Sequence, residues 1–227
     1  MTPEARLLCA AAHGNAAEVK ALLSLGVAVD TRDGKGRTAL MLAVDGNFSE
    51  TVRLLLDAGA NGMARNHGNR PVIDYVHQPT VARMILEAIP VPERAKTATR
   101  LLFQYGISIQ CLHMALAYGA RVNARNKRGD TPLHVHVYSG RVECVQFLLT
   151  SGALPDEKNC HCKTPLRTAI WLAYADVAQL LIDAGADIYT RDAKGRTLDH
   201  LTQCHCAACK ECITVLEKAR AGKASAI

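Results

Sequence analysis

The densest group of reactive side chains is the run Cys204-His205-Cys206-Ala207-Ala208-Cys209-Lys210-Glu211-Cys212. Thiolates and imidazoles are good zinc ligands, and a tetrahedral site needs four of them. On a helix, His205, Cys209 and Cys212 would share a face at i, i+4 and i+7. The order Cys-x-Cys-x2-Cys-x2-Cys is not the two separated knuckles that zinc sites commonly use. Three readings stand side by side: ordinary thiols with no cofactor, which is the expectation adopted; a structural zinc drawn from Cys204, His205, Cys206, Cys209 and Cys212; and a redox-labile cluster. A second group, Cys160-His161-Cys162, lies too far away in the chain to complete the first. Gly-x-Ser-x-Gly, His-Glu-x-x-His and phosphate-loop patterns are absent, so no enzyme activity is expected.

What must position these residues is a repeat. Gly119-Ala120, Gly152-Ala153 and Gly185-Ala186 follow one another at steps of 33, and Gly26-Val27 precedes Gly59-Ala60 by the same 33. A second ladder runs downstream through Gly36, Asn69, Gly129, Cys162 and Gly195, commonly followed by a triplet such as Thr131-Pro132-Leu133 or Thr164-Pro165-Leu166. A fixed period of this size marks one supersecondary unit stacked many times, each burying its face against its neighbours. About seven such units fill the 227 residues.

Half of the residues are hydrophobic (49%), yet only three Phe, six Tyr and one Trp occur. The core must therefore be built from Ala, Leu and Val, which suits closely packed helices. No apolar run approaches the roughly 18 residues of a membrane span, so no membrane partner is expected. Met1-Thr2-Pro3-Glu4-Ala5-Arg6 does not open like an export signal. Nine cysteines, an odd number, point to reduced thiols. A soluble, cytoplasmic protein is expected.

Within one repeat, Thr131 can cap a helix whose first position is Pro132. That helix reaches about Tyr138 and Gly140 breaks it. Val142, Val145, Leu148 and Leu149 then recur at helical spacing until Gly152 ends a second helix. A polar stretch of turn formers completes the unit. The period, Thr131-Pro132-Leu133-His134 and the later Leu-Leu…Gly-Ala together resemble the ankyrin repeat over essentially the whole chain. The resemblance implies an all-α repeat solenoid of antiparallel helix pairs with β-hairpin fingers. It also implies a scaffold without chemistry of its own, which grips another protein with its fingertips and the concave face of its first helices; a monomer is expected. It assigns His134 to packing and hydrogen bonding.

The expected single domain divides at 2–35, 36–68, 69–91, 92–128, 129–161, 162–194 and 195–220, with 221–227 a flexible tail. From Asn69 to Gly129 the step is 60 rather than 66, and Leu86-Glu87-Ala88-Ile89 runs directly into Pro90-Val91-Pro92. One finger is therefore expected to be missing near 89–92, with helices from Glu93 to Tyr105 and from Ile107 to Tyr118.

The net charge of +6 is uneven. The finger segments 30–37, 61–70, 123–130, 156–163 and 187–196 carry 13 Lys/Arg and 7 Asp/Glu, while the rest carries 14 of each. The excess forms a ridge through Arg32, Lys35, Arg37, Arg65, Arg70, Arg125, Lys127, Arg128, Arg191, Lys194 and Arg196, suited to a partner with an acidic surface. Nucleic acid fits poorly, because Tyr189 is the one aromatic residue on the fingers and acids are interspersed. Tyr138 and Trp171 stand 33 apart at the end of the first helix, and such residues are common interface anchors. Among the cysteines, Cys111 and Cys144 are 33 apart and Cys212 falls two residues late in the same register. These three, with Cys9 in the first helix, are expected in the core. Cys162 replaces a glycine, so its turn is expected to differ.

Overall fold

A computed structural model describes residues 1–191, 194–201 and 207–224. The chain divides into two compact halves, Met1–Ala120 and Arg121–Ile227. No described helix is long and apolar enough to cross a membrane.

The first half contains α1 (Pro3–Ala12), α2 (Ala16–Ser24), α3 (Ala39–Asp45), α4 (Ser49–Asp57), a 3-10 turn at Val72–Tyr75, α5 (Pro79–Ala88), α6 (Val91–Leu101) and α7 (Ile109–Ala117). Thr2, Asn15, Thr38 and Ser108 cap their helices by accepting backbone N–H groups three residues on, which satisfies donors that a helix start leaves open. Each helix pair folds back on itself, α1 packing on α2 and α3 on α4, and α1 stacks against α3 as α2 does against α4. The core between them is aliphatic: Leu7, Leu22, Leu40, Val44, Val52, Leu55, Ile85 and Leu112 are all buried. Each such side chain contributes about 1.5–3 kcal/mol on burial.

The third repeat departs from this plan. Its first helix is reduced to the 3-10 turn Val72–Tyr75. Pro79 forces Gln78 into an extended conformation (φ −122°, ψ 146°) and itself opens α5, leaving too little chain for a full first helix. Side chains hold the shortened turn: Gln104 donates to the Ile73 carbonyl at 2.7 Å, and the Arg100 guanidinium grips Asp74 at 2.6 and 3.0 Å. The expected gap in the fingers is present. Helix α5 ends at Ala88, Ile89 and Pro90 are extended, and α6 begins at Val91. Arg94 closes the junction by donating to the carbonyls of Ile89 and Glu87, both at 2.9 Å. Helix α6 starts before the expected Glu93, because Pro92 is accommodated in its first turn, and it ends at Leu101 rather than Tyr105. Helix α7 begins at Ile109 because Ser108 caps it.

The second half contains α8 (Pro132–Tyr138), α9 (Val142–Thr150), α10 (Pro165–Trp171), α11 (Ala175–Asp183), a 3-10 turn at Leu198–Leu201 and α12 (Ala207–Ala224). First helices α8 and α10 pack together, as do α9 and α11, and α12 closes on α11. Leu133, Val137, Val145, Leu148, Leu166, Ile170, Val177, Leu181, Cys212 and Leu216 form one continuous core. Helix α12 continues through Ala224, four residues into the expected tail, since Ala221 and Ala224 are strong helix formers on either side of Gly222.

The fingers are turns rather than laddered hairpins. Among the described residues the pairing is limited to single antiparallel bridges, Arg32 with Thr38 and Arg65 with Pro71. An Asp or Asn side chain takes the donors that a ladder would use. Asp33 Oδ1 accepts the N–H groups of Lys35 and Arg37, and Asn159 Oδ1 accepts those of His161 and Lys163.

Candidate interaction surface

The cysteines separate by place. Cys111, Cys144 and Cys212 are buried as expected, and burial pushes the Cys111 and Cys144 thiols up. Such thiols pack as small apolar groups. Cys9 corrects the expectation, for it is exposed. It lies off the Leu7, Ala10 and Ala11 stripe that α1 buries, with Sγ 3.7 Å from His13 Nδ1. Cys204, His205 and Cys206 lie outside the described residues, as does the side chain of Cys209. Among the described residues no group of His, Cys, Asp and Glu is arranged to hold a metal ion.

Cys162 also corrects an expectation. Its φ of +54° matches Gly36, Asn69, Gly129 and Gly195, at +73°, +60°, +72° and +74°. Its N–H donates to Asn159 O at 2.9 Å, as that of Gly129 does to Asn126 O at 2.9 Å. The turn is therefore the same, and the Asn159 bonds impose it on a cysteine. Gly129 has a stricter role. A Cβ there would fall 2.9 Å from both the backbone nitrogen and Sγ of Cys160, where the Cys160 N–H donates to Arg128 O at 3.0 Å and ties two fingertips together.

The candidate arginines fall into a structural set. Arg32 donates to Gly36 O within its own finger at 2.9 Å and to Arg65 O of the next finger at 2.6 Å. Arg125 repeats this with Gly129 O at 3.4 Å and Lys158 O at 2.7 Å, and also pairs with Glu157. Arg65 and Arg191 make the within-finger bond, to Asn69 O at 3.0 Å and Gly195 O at 2.8 Å. All four guanidinium groups satisfy fingertip carbonyls, and those of Arg32 and Arg125 also link neighbouring repeats. Arg37 is engaged by Asp33 at 2.8 Å. Burial pushes the Asp33 carboxyl up, but the hydrogen bonds from Arg37 and Lys35 outweigh it and hold the group below its usual value.

The remaining charges of the second half sort by exposure. Asp130 and Glu157 are half-buried and bonded internally, Asp130 to Asn159 at 2.7 Å and Glu157 to Arg125. Asp156, exposed, accepts the Asp187 N–H at 2.8 Å. Lys127, Arg128, Lys158 and Lys163 are exposed and pair with no carboxylate among the described residues. Lys35, in the first half, is exposed, as are Lys194 and Arg196 in the second.

Tyr138 and Trp171 are 53% and 56% exposed, at one register position on adjacent helices α8 and α10. Lys163 Nζ stands 5.2 Å from the Trp171 ring centroid, a cation–π distance. Sequence reading missed this contact, although Lys163 immediately precedes the Thr164 cap of the helix that carries Trp171. His134 has its expected structural role. Its Nδ1 accepts the Thr131 N–H at 3.2 Å, so Nε2 carries the proton it donates to Lys163 O at 3.0 Å. Burial pushes its pKa down and keeps it neutral.

A family model for ankyrin repeats, in three copies, matches residues 4–88 and 99–192. The chain is 30% identical over 126 residues to the human ankyrin repeat and KH domain-containing protein 1, covering 56% of this chain and 4% of that protein's length. Its fold is similar to the human ASB11 ankyrin repeat domain, at TM-score 0.77 and 24% identity, over 92% of this chain and 96% of that one. The ankyrin repeat domain of Bcl-3, a member of the IkappaB family, gives TM-score 0.73 and 23% identity over 93% and 97%. An ankyrin repeat domain from Acinetobacter baumannii AYE gives 0.54 and 26% over 94% and 96%. With its matched repeats, capped helix pairs and all-α stacking, the chain belongs to the ankyrin repeat family.

Proposed function

We infer that the chain is a non-catalytic, monomeric cytoplasmic module that binds another protein with an acidic surface. The observation that carries this reading is the exposed pair Tyr138 and Trp171, with Lys163 beside the Trp171 ring, together with the exposed cations Lys127, Arg128 and Lys158 on the fingers of the same half. Large aromatic side chains left half in water are the residue types that anchor interfaces. Asp130 and Glu157 are half-buried and bonded between the fingers while Asp156 is exposed, so the four exposed cations Lys127, Arg128, Lys158 and Lys163 outnumber the open acids of these two fingers. Such a field draws an acidic partner and repels a basic one. Family membership supports the general class, since ankyrin repeats mediate protein–protein contacts. The odd number of cysteines, nine, favours reduced thiols and a reducing compartment.

The test is capture of cellular proteins on the full chain, the Trp171→Ala variant and the Lys127→Glu/Arg128→Glu variant. Acidic proteins retained by the parent and lost from both variants are expected. Retention unchanged by either variant would overturn the reading.

A further inference from the structure

Three features meet at Trp171. The indole is largely exposed, the Lys163 ammonium stands 5.2 Å from its centroid, and Tyr138 occupies the same register on the adjacent helix. Packed helices lie about 8–10 Å apart, so one ligand side chain can touch both ring positions. An extended chain advances about 3.3 Å per residue and sets alternate side chains on one face, so same-face side chains about two to four residues apart span from one repeat to the next. The tips carrying Arg128 and Cys160 are themselves tied by a backbone bond of 3.0 Å, which sets the cations of two fingers side by side.

We propose, on the basis of the interaction reading above, that this face takes an extended acidic segment of another protein that carries an apolar residue beside its Asp or Glu residues. The apolar side chain lies against Trp171 and Tyr138 while the carboxylate two residues along, on the same face of the segment, meets the Lys163 ammonium. Further carboxylates along the segment meet Lys158, Lys127 and Arg128. A purely acidic strand would leave the two rings in water, and a purely apolar one would leave four cations unanswered. Joining both chemistries in one flexible segment satisfies both. Burying the indole also removes water from around the ammonium, which strengthens its attraction to the carboxylate.

The single tryptophan of the chain makes the site its own reporter. The full-length protein is titrated with three Trp-free synthetic peptides: Glu and Ser with one central Leu, the same peptide with Leu replaced by Ser, and the Leu peptide with Gln for Glu. A saturable blue shift of Trp171 emission is expected with the first peptide alone. Tyr138→Ala and Lys163→Gln should each weaken it about tenfold, with circular dichroism and melting matched to the parent to separate binding from folding. Tyr138→Phe should restore most of the affinity, since the ring and not the hydroxyl is used. Equal binding of the Leu and Ser peptides would overturn this proposal and leave the interaction reading standing. So would the absence of peptide binding while captured cellular partners still depend on Lys127 and Arg128, because the occupant would then be a folded surface. Failure of both the peptides and the captured partners to respond to these residues would overturn the two readings together.

Discussion

Cys162 holds a left-handed backbone at φ +54° in a place where three other fingers use glycine. A non-glycine residue there costs about 1–2 kcal/mol, part of which glycine forfeits through its freer unfolded chain. Cys162→Gly is therefore expected to stabilise the protein by about 0.5–1 kcal/mol, read as a higher urea midpoint at an unchanged slope. A lower midpoint would mean that the cysteine side chain contributes packing that outweighs its backbone strain. Residue type alone suggested a different turn, because the governing bonds come from Asn159, three positions earlier. His134 carries a pH prediction. Its pKa is lowered in the folded protein from an ordinary 6.5, so the unfolded chain binds more protons as pH falls. Its contribution to stability is complete above about 6.5 and is lost as pH drops through and below that value. A His134→Gln variant should start less stable at neutral pH and lose less between pH 7 and 5, which pH-resolved denaturation will show.

Among the elements, the fingers divide basic residues that look alike in sequence. Arg125 bonds two carbonyls and pairs with Glu157, whereas Lys127 makes no ion pair among the described residues. Arg125→Gln should cost about 1 kcal/mol, discounted for its exposure, and Lys127→Gln should stay within about 0.5 kcal/mol. Equal effects in denaturant melts would contradict the division. Charge reversal aimed at binding should accordingly use Lys127 and Arg128 and leave Arg125 intact. The recurrence of arginine at 32, 65, 125 and 191 was visible in the sequence, but the bonds of Arg32 and Arg125 to carbonyls of the next repeat arise only when the fingers stack. The missing finger was legible because Pro90 follows directly on the end of α5; the collapse of the third first-helix was equally encoded, in Pro79, yet needed the packing of Gln104 and Arg100 to be recognised. In the last repeat Cys212 packs in the core, as a small apolar side chain does, and the expectation for Cys204, His205, Cys206 and Cys209 is ordinary thiols. Metal analysis of protein purified without added metal should give well under one zinc per chain, with melting unmoved by chelator. A full equivalent whose removal lowers the melting temperature would reverse that expectation.

For the whole molecule, the period of the sequence was enough to give the fold class, because each repeat solves the same burial problem against a similar neighbour. The same register made the Tyr138 and Trp171 pair legible. The charges were legible only as a total: which cations remain open depends on pairings such as Arg125 with Glu157, made between repeats rather than along the chain. The proposed binding of an acidic partner by the open cations and exposed rings of the second half is read in the dissociation constant of a captured partner, measured for the parent and for Lys127→Glu/Arg128→Glu at low and high salt. A loss of about tenfold or more is expected at low salt, shrinking as salt screens the charges. Equal constants for the two proteins at both salt concentrations would contradict it.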